Sequence, residues 1–201
     1  MMTLLCWLKE IERSGHLPIC SSHLLFGDKP ITALMTSTLA NTFPIEQGLT
    51  EIKLEMNKQG YFIATHLHYV APVINYALYA KAISLLYKGR LPLFCRFVQL
   101  LERVTAPELM PFVEYWNTHP EQFEAYLVMS ASYRDHHAYR HGLFQHSVEV
   151  AELAYSNAIS LGHSPIECQI ALLAGLFHDI GKVYSQSEAN LKTYQTGAHE
   201  C

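Results

Sequence analysis

The chain has 201 residues, of which 50% are hydrophobic and 11% aromatic, and its 14 basic and 18 acidic residues give a net charge of −4. This composition excludes a disordered or low-complexity chain. It also argues against a protein that is held on nucleic acid mainly by a broad cationic surface, although a local groove on an acidic protein is compatible with it. The unusual feature is the number of histidines, which is 12.

The location of the protein is predicted from its apolar segments and its cysteines. Charged residues interrupt the apolar start of the chain, and no small-residue cleavage site follows, so we expect no signal peptide. The longest apolar stretch, 70–86, contains a proline, an asparagine and a lysine, which makes it too polar for a membrane span. The cysteines are widely spaced and form no CxxC pair. We therefore expect a soluble protein of a reducing cytoplasm, without a membrane partner.

The first 105 residues predict a mostly helical region of unknown role. Apolar residues recur at helical spacing over 4–11, and further helices are predicted over 72–87 and 93–104. Residues 16–50 show no clear period, and the weak alternation within 51–69 indicates a short hairpin or an irregular connection. The region lacks the strand-rich signature that is expected of a nucleic-acid-binding barrel.

Helical signals become stronger after residue 105. Helices are predicted there over 108–116, 120–129, 141–161 and 164–181. The third of these is long and amphipathic, and the fourth begins with a serine and a proline and stops at a glycine. We therefore predict a mainly α protein, in which the mostly helical region 1–105 precedes a helical domain over 106–201.

Six of the twelve histidines lie on the last two predicted helices or just beside them. If the turn between these helices centres near His163, then His146 and His178 lie at similar distances from it along the chain. An antiparallel hairpin brings such positions to the same height within about one turn. Asp179 follows directly, and Gly181 ends the helix there. Imidazole and carboxylate side chains that meet at one helix end are what a divalent-cation site needs.

We therefore predict a metal site formed by His146, His178 and Asp179, with His136 and His137 upstream of it. The alternative is an ordinary helical domain whose histidines are incidental, because the helix dipole favours a histidine at a helix C-terminus. Such a domain would bind no stoichiometric metal.

Two segments carry a family resemblance, DHHAYRHGLFQHSVEVAELA at 135–154 and ALLAGLFHDIGKV at 171–183. Together they resemble the HD superfamily of metal-dependent phosphohydrolases, over about residues 106–183. The histidine pair, the GL-x-x-H-S string and HDIGK are similar to two branches. These are the TraI-type HD domain of H-class conjugative relaxases and the YhaM-like 3′ exoribonucleases. We favour the relaxase branch, because the N-terminal region lacks the signature of a nucleic-acid-binding barrel.

The resemblance implies a function and a set of metal ligands. The function is that of a metal-dependent phosphohydrolase of the phosphodiesterase or nuclease type, acting on nucleic acid or a nucleotide. In the relaxase branch it would be linked to conjugative DNA transfer. By position, His146 would be the first metal ligand and His178 and Asp179 the second and third, with Asp179 shared if two ions bind.

The same resemblance implies the catalytic residues, which are Asp179, Lys182, His136 and His137. Lys182 would face a substrate phosphate, and the two histidines would hold a second metal or the scissile phosphate. One or two divalent ions are expected, from among Mn, Fe, Mg, Zn, Co and Ni. The expected partners are a nucleic-acid or nucleotide substrate and a larger conjugation or nucleic-acid-processing assembly.

Two departures from the family pattern leave catalysis open. The superfamily usually closes its site with an aspartate on a later helix, but no aspartate follows Asp179. Either the domain is truncated at its C-terminal end, or Asp135, His136 or His137 completes the site. His141 stands where relatives usually have a glycine, and it either adds a ligand or crowds the entrance. The alternative function is therefore a catalytically inactive metal- or nucleotide-binding module of a larger complex.

Overall fold

The computed structural model describes residues 1–13, 18–42, 47–70, 73–86, 89–132 and 137–185 of the chain. The chain divides into two compact units, Met1–Ser84 and Leu85–Cys201. Within the described ranges, no helix combines the length and the apolar character that crossing a membrane requires.

The first unit is built on five strands. They are β1 (Met2–Arg13), β2 (Ile19–Phe26), β3 (Lys29–Thr36), β4 (Gly48–Met56) and β5 (Phe62–Tyr69). The strands form a closed barrel in the order β1-β2-β3-β5-β4, and neighbours are antiparallel except for the parallel pair β3 and β5. A short helix, α1 (Ser37–Asn41), connects β3 to β4. This strand order, with a helix after the third strand, is that of the OB-fold.

β1 pairs with two neighbours and is irregular between them. Residues 2–8 pair with β4 and residues 7–13 pair with β2, with a shift in the β2 register between Leu8 and Glu10. Such a bulge leaves one residue unpaired and bends the strand. Because the bulge shifts the alternation by one position, the β1 side chains that pack in the barrel core are Leu4, Cys6, Leu8 and Ile11.

The barrel overturns the predicted mostly helical N-terminal region and, with it, the mainly α fold class. Leu4, Leu8 and Ile11 have helical spacing only because the bulge adds a residue between the last two. Leu5 is also buried, outside that core cluster, so both faces of β1 carry buried apolar side chains. The prediction is wrong because such a strand does not show the simple alternation by which strands are recognised.

The helix after the barrel strands, α2 (Tyr76–Leu86), lies where the sequence predicts one. Its Tyr79 is fully buried, and the hydroxyl oxygen lies 2.8 Å from the carbonyl oxygen of Leu5 and 3.2 Å from that of Leu25. Because these carbonyl groups belong to β1 and β2, Tyr79 holds α2 against two strands of the barrel.

The second unit consists of helices. They are α3 (Leu91–Glu102), α4 (Met110–Thr118), α5 (Pro120–Val128), α6 (Gly142–Ser160), α7 (Pro165–Phe177) and α8 (Lys182–Ser185), with a short 3-10 turn at Pro107–Leu109. The helices α3 to α7 lie where the sequence predicts helices. Aromatic side chains fill the centre of this unit, where the Phe97 ring contacts those of Trp116, Phe123, Tyr126 and Phe144.

The helices α6 and α7 form a close hairpin. Gly162 in the turn between them has φ +76°, and Ser164 begins α7 through a capping box with Glu167. The helices approach closely at Gly175, where a Cβ would lie 2.5 Å from the Cα of Ala151. A side chain at position 175 would therefore force the two helices apart.

Candidate metal centre

Three side chains from the α6–α7 hairpin meet at one point. His146 lies in the second turn of α6, His178 is the C-cap residue of α7, and Asp179 follows. The Nε2 atoms of His146 and His178 are 3.2 Å apart, and Oδ2 of Asp179 lies 3.7 Å from the first and 3.4 Å from the second. Among the residues that the structure describes, these three alone form a group of potential ligands close enough to share one metal ion.

The triangle formed by these three atoms has the size that a divalent ion requires. The point equidistant from them lies about 2.0 Å from each, and histidine nitrogens and carboxylate oxygens bind zinc at about 2.0–2.2 Å. His146, His178 and Asp179 could therefore hold one divalent ion together, and such an ion would keep further coordination positions for water or substrate. The three side chains are between 20% and 35% exposed, so solvent reaches them.

The orientation of His178 and the pKa of His146 suit metal binding. The Nδ1–H of His178 donates to the carbonyl oxygen of Gly175 at 2.8 Å, so Nε2 is the ring nitrogen that faces the triangle. Burial and, after it, the neighbouring His178 imidazole lower the pKa of His146, so this side chain is neutral at pH 7. Neutral imidazoles with an ionised carboxylate are the forms in which these side chains bind metals.

Lys182 forms a hydrogen bond with Oδ2 of Asp179, the same carboxylate oxygen that faces the two imidazoles. Its Nζ donates to Oδ2 of Asp179 at 2.6 Å, from the beginning of α8. The resemblance implies that Lys182 faces a substrate phosphate, and the structure places its ammonium group at the edge of the triangle. An ion bound to Asp179 would share this oxygen with Lys182.

His137 approaches the triangle from the segment before α6. Its ring centroid lies 5.3 Å from that of His146, and its backbone is left-handed, with φ +60°. Its Nε2 atom lies 3.5 Å from Oε2 of Glu149. The other predicted catalytic histidine, His136, and the alternative completing residue, Asp135, lie outside the described residues.

Glu149, which no sequence pattern singles out, contacts His137, with its Oε2 atom 3.5 Å from Nε2 of that ring. It lies three residues after His146 on α6, a spacing that places two side chains on one helix face. That spacing is the signal by which it could have been found. The signal is weak, because a glutamate on an amphipathic helix usually faces solvent.

His141 has the backbone conformation for which a glycine is suited. Its φ is +72°, in the left-handed region where glycine meets no steric penalty. The Nδ1–H of its ring donates to the carbonyl oxygen of Leu127 at 2.6 Å. The ring is thus engaged by the main chain, outside the group of candidate ligands.

His141 makes the stability of the protein depend on pH. Burial is the main cause that lowers the pKa of His141, and the charges of Arg140 and Arg90 act in the same direction. The neutral ring therefore favours the folded state, and its contribution is complete above the unfolded-state pKa of about 6.5 and is lost as the pH falls. When the pH is lowered from 7.5 to 5.5, we expect the His141→Asn variant to lose less unfolding free energy than the wild type, as measured by urea denaturation.

Asparagine is the matched replacement at this position, because it tolerates the left-handed backbone and its amide can donate to the same carbonyl group. The variant should retain part of the pH dependence, since the pKa of His146 is lowered as well. An identical pH dependence in the variant and the wild type would contradict this role of His141.

A comparison with known families agrees with this geometry. The HD domain family model matches residues 143–200, a range that contains His146, His178 and Asp179. The match supports the resemblance of this range to the HD superfamily, whose members are typically metal-dependent phosphohydrolases. Among curated proteins, none is similar enough to the chain to count as a match.

Proposed function

We propose that the protein is a metal-dependent phosphohydrolase that cleaves phosphodiester bonds in single-stranded nucleic acid. The observation that carries this proposal is the meeting of two imidazole nitrogens and one carboxylate oxygen around a point about 2.0 Å from each. When bound there, a divalent ion supplies a water of lowered pKa and neutralises charge on phosphoryl oxygens.

The charges of the site suit an anionic substrate. Two neutral imidazoles and one carboxylate would leave a divalent ion with a net positive charge. The ammonium group of Lys182, 2.6 Å from Asp179 and partly exposed, adds a second positive charge at the same place. A phosphodiester that enters the site would therefore meet two positive centres, and Lys182 would move from the carboxylate towards a phosphoryl oxygen.

The barrel of the first unit supports nucleic acid as the substrate class. OB-folds often bind oligonucleotides, through the face of their second and third strands and the adjoining loops. This support is an analogy of fold, because a fold does not determine a ligand. The presence of a barrel nevertheless removes the reason for preferring the relaxase branch, because that preference depended on the expected absence of a barrel. We therefore propose the activity of a 3′ exoribonuclease ahead of a role in conjugative DNA transfer.

Hydrolysis of end-labelled substrates tests this proposal. The full chain is incubated with single-stranded RNA and DNA of the same sequence, labelled at the 5′ end, with Mn²⁺ or with EDTA. We expect stepwise shortening of the RNA from its 3′ end with Mn²⁺, no cleavage with EDTA, and no cleavage by His178→Ala.

Two results would contradict the proposed function. Bound metal without cleavage of RNA, DNA or a generic phosphodiester would indicate the inactive metal-binding module. Cleavage that is unchanged in His178→Ala would place the activity elsewhere or in a contaminant.

A further inference from the structure

We propose that a groove between α3 and α6 binds a free nucleoside monophosphate, at a site separate from the triangle of His146, His178 and Asp179. The inference goes beyond the proposed function and does not depend on it, because the binding can be measured without turnover. It is carried by the size of the groove, by its charge and by a stacked pair of side chains in its wall.

The groove lies within the second unit and has a volume of about 310 Å³. This volume is at the lower end of the range for ligand pockets, which is about 300–1,000 Å³, so it suits one small ligand. Residues three or four positions apart share one face of a helix. The polar lining follows this spacing, with Arg96, Gln99 and Arg103 from α3 and its C-cap, and Glu152, Tyr155 and Ser156 from α6.

The charges of the groove favour an anion. Arg96 and Arg103 face a single acidic side chain, Glu152, so the lining is positive although the chain as a whole has a net charge of −4. Arg96 binds Glu152 through two hydrogen bonds, in which its Nε donates to Oε1 at 2.7 Å and its Nη2 donates to Oε2. A guanidinium group has five N–H donors, so this pairing leaves donors of Arg96 for a ligand.

Arg103 supplies the positive charge that Glu152 does not balance. Its side chain is exposed, and no carboxylate of the described residues forms an ion pair with it. An arginine of this kind can bind a phosphate through two parallel N–H···O bonds. The groove therefore offers guanidinium donors to a phosphate from both Arg96 and Arg103.

The stacking of Arg103 adds a preference for a ligand with a planar ring. Its guanidinium carbon lies 5.2 Å from the centroid of the Tyr155 ring, and both side chains line the groove. Nucleobases stack on tyrosine rings and on the planes of arginine guanidinium groups. A nucleoside monophosphate carries a planar base and a phosphate in one small molecule, and it therefore matches both features of the groove.

The groove is distant from the candidate metal centre. Tyr155 follows His146 by nine residues on α6, which corresponds to two and a half turns. The two side chains therefore leave the helix on opposite sides and are separated by about 14 Å along its axis. A nucleotide in the groove would not contact an ion at the triangle, so the groove is a second ligand site.

Calorimetric titration of the full chain with AMP, in the presence of EDTA, tests the inference. EDTA prevents any contribution from a bound divalent ion. We expect one AMP to bind per chain. Adenosine and inorganic phosphate should each bind at least about tenfold more weakly, because each lacks one of the two groups that the groove recognises.

Substitutions of Arg103 separate the charge from the stacking. We expect Arg103→Gln to bind AMP about tenfold more weakly than the wild type. Arg103→Lys keeps the charge but loses the guanidinium plane, so it should weaken AMP binding about threefold and leave the binding of inorganic phosphate unchanged. Because the side chain is exposed, both variants should fold as the wild type does.

Two control variants place the site. Arg90→Gln is the matched control, because Arg90 lies 5.3 Å from the centroid of the Tyr139 ring but does not line the groove. His178→Ala removes one side chain of the triangle. Both variants should bind AMP as tightly as the wild type does.

The results that would overturn the inference do not depend on whether the protein cleaves RNA. A wild type that does not bind AMP, or an Arg103→Gln variant that binds it with unchanged affinity, would overturn the site. Inorganic phosphate that binds as tightly as AMP would overturn the nucleotide as the ligand. A short single-stranded RNA that binds more tightly than AMP and requires Arg103 would overturn the assignment to a free nucleotide.

Discussion

Asp179→Asn is expected to abolish stoichiometric binding of Mn²⁺ at the triangle, with a loss of affinity of at least about 100-fold. The substitution keeps the size of the side chain but removes the single carboxylate from a group whose other members are imidazoles. It also leaves the Lys182 ammonium group, now 2.6 Å from that carboxylate, without its negative partner. The positive charge of Lys182 would then oppose cation binding, in addition to the loss of one ligand.

Calorimetric titration and thermal unfolding measure this effect. An ion that binds only the folded wild type stabilises it by about 2.7 kcal/mol at a concentration 100 times the Kd. We expect no such stabilisation in Asp179→Asn. The control is Asp28→Asn, which makes the same chemical change at an exposed position of the first unit. Equal Mn²⁺ affinity in Asp179→Asn and in the wild type would contradict the assignment of Asp179 as a ligand.

Gly142→Ala is expected to destabilise the second unit by about 1–3 kcal/mol. A Cβ at this position would lie 2.0 Å from the carbonyl oxygen of His137 and 3.1 Å from the Cβ of the same residue. The obstacle is mainly backbone, which cannot rotate away as a flexible side chain can. The backbone that carries His137 would therefore have to move.

Urea denaturation checks this expectation. Gly181→Ala is a suitable control, because a Cβ there would meet nothing within 4 Å. We expect the control to unfold within about 0.5 kcal/mol of the wild type. A Gly142→Ala protein that is as stable as the wild type would contradict the view that the backbone of His137 leaves no room for a Cβ at position 142.

The helical hairpin could be predicted because its signals are local. Serine and proline at the start of α7, and the glycines that follow α6 and α7, mark helix ends by their own conformational preferences. Once the ends are known, the heights of His146 and His178 follow from the constant rise of a helix. These side chains and Asp179 lie close together in the structure, and their role as metal ligands stays a prediction.

The barrel could not be predicted in the same way. Strand pairing depends on residues that are distant in sequence, and the bulge in β1 gave Leu4, Leu8 and Ile11 a spacing typical of helices. The placement of Glu149 was missed for a related reason. Its contact with His137 depends on a left-handed backbone at position 137, which no periodic pattern reveals.

At His141, the backbone conformation explains a departure from the family pattern that the sequence alone left open. The sequence left open whether this side chain adds a ligand or crowds the entrance. The structure shows a left-handed residue whose ring donates to Leu127, so the position requires a backbone conformation that glycine adopts most easily.

The most direct test of the metal centre is a crystal structure of the full chain grown with Mn²⁺, with diffraction data collected at the manganese absorption edge. We predict an anomalous difference peak within about 2.2 Å of the Nε2 atoms of His146 and His178 and of the Asp179 carboxylate. A fully ordered α6–α7 hairpin without such a peak, or with the three side chains turned apart, would contradict the metal centre.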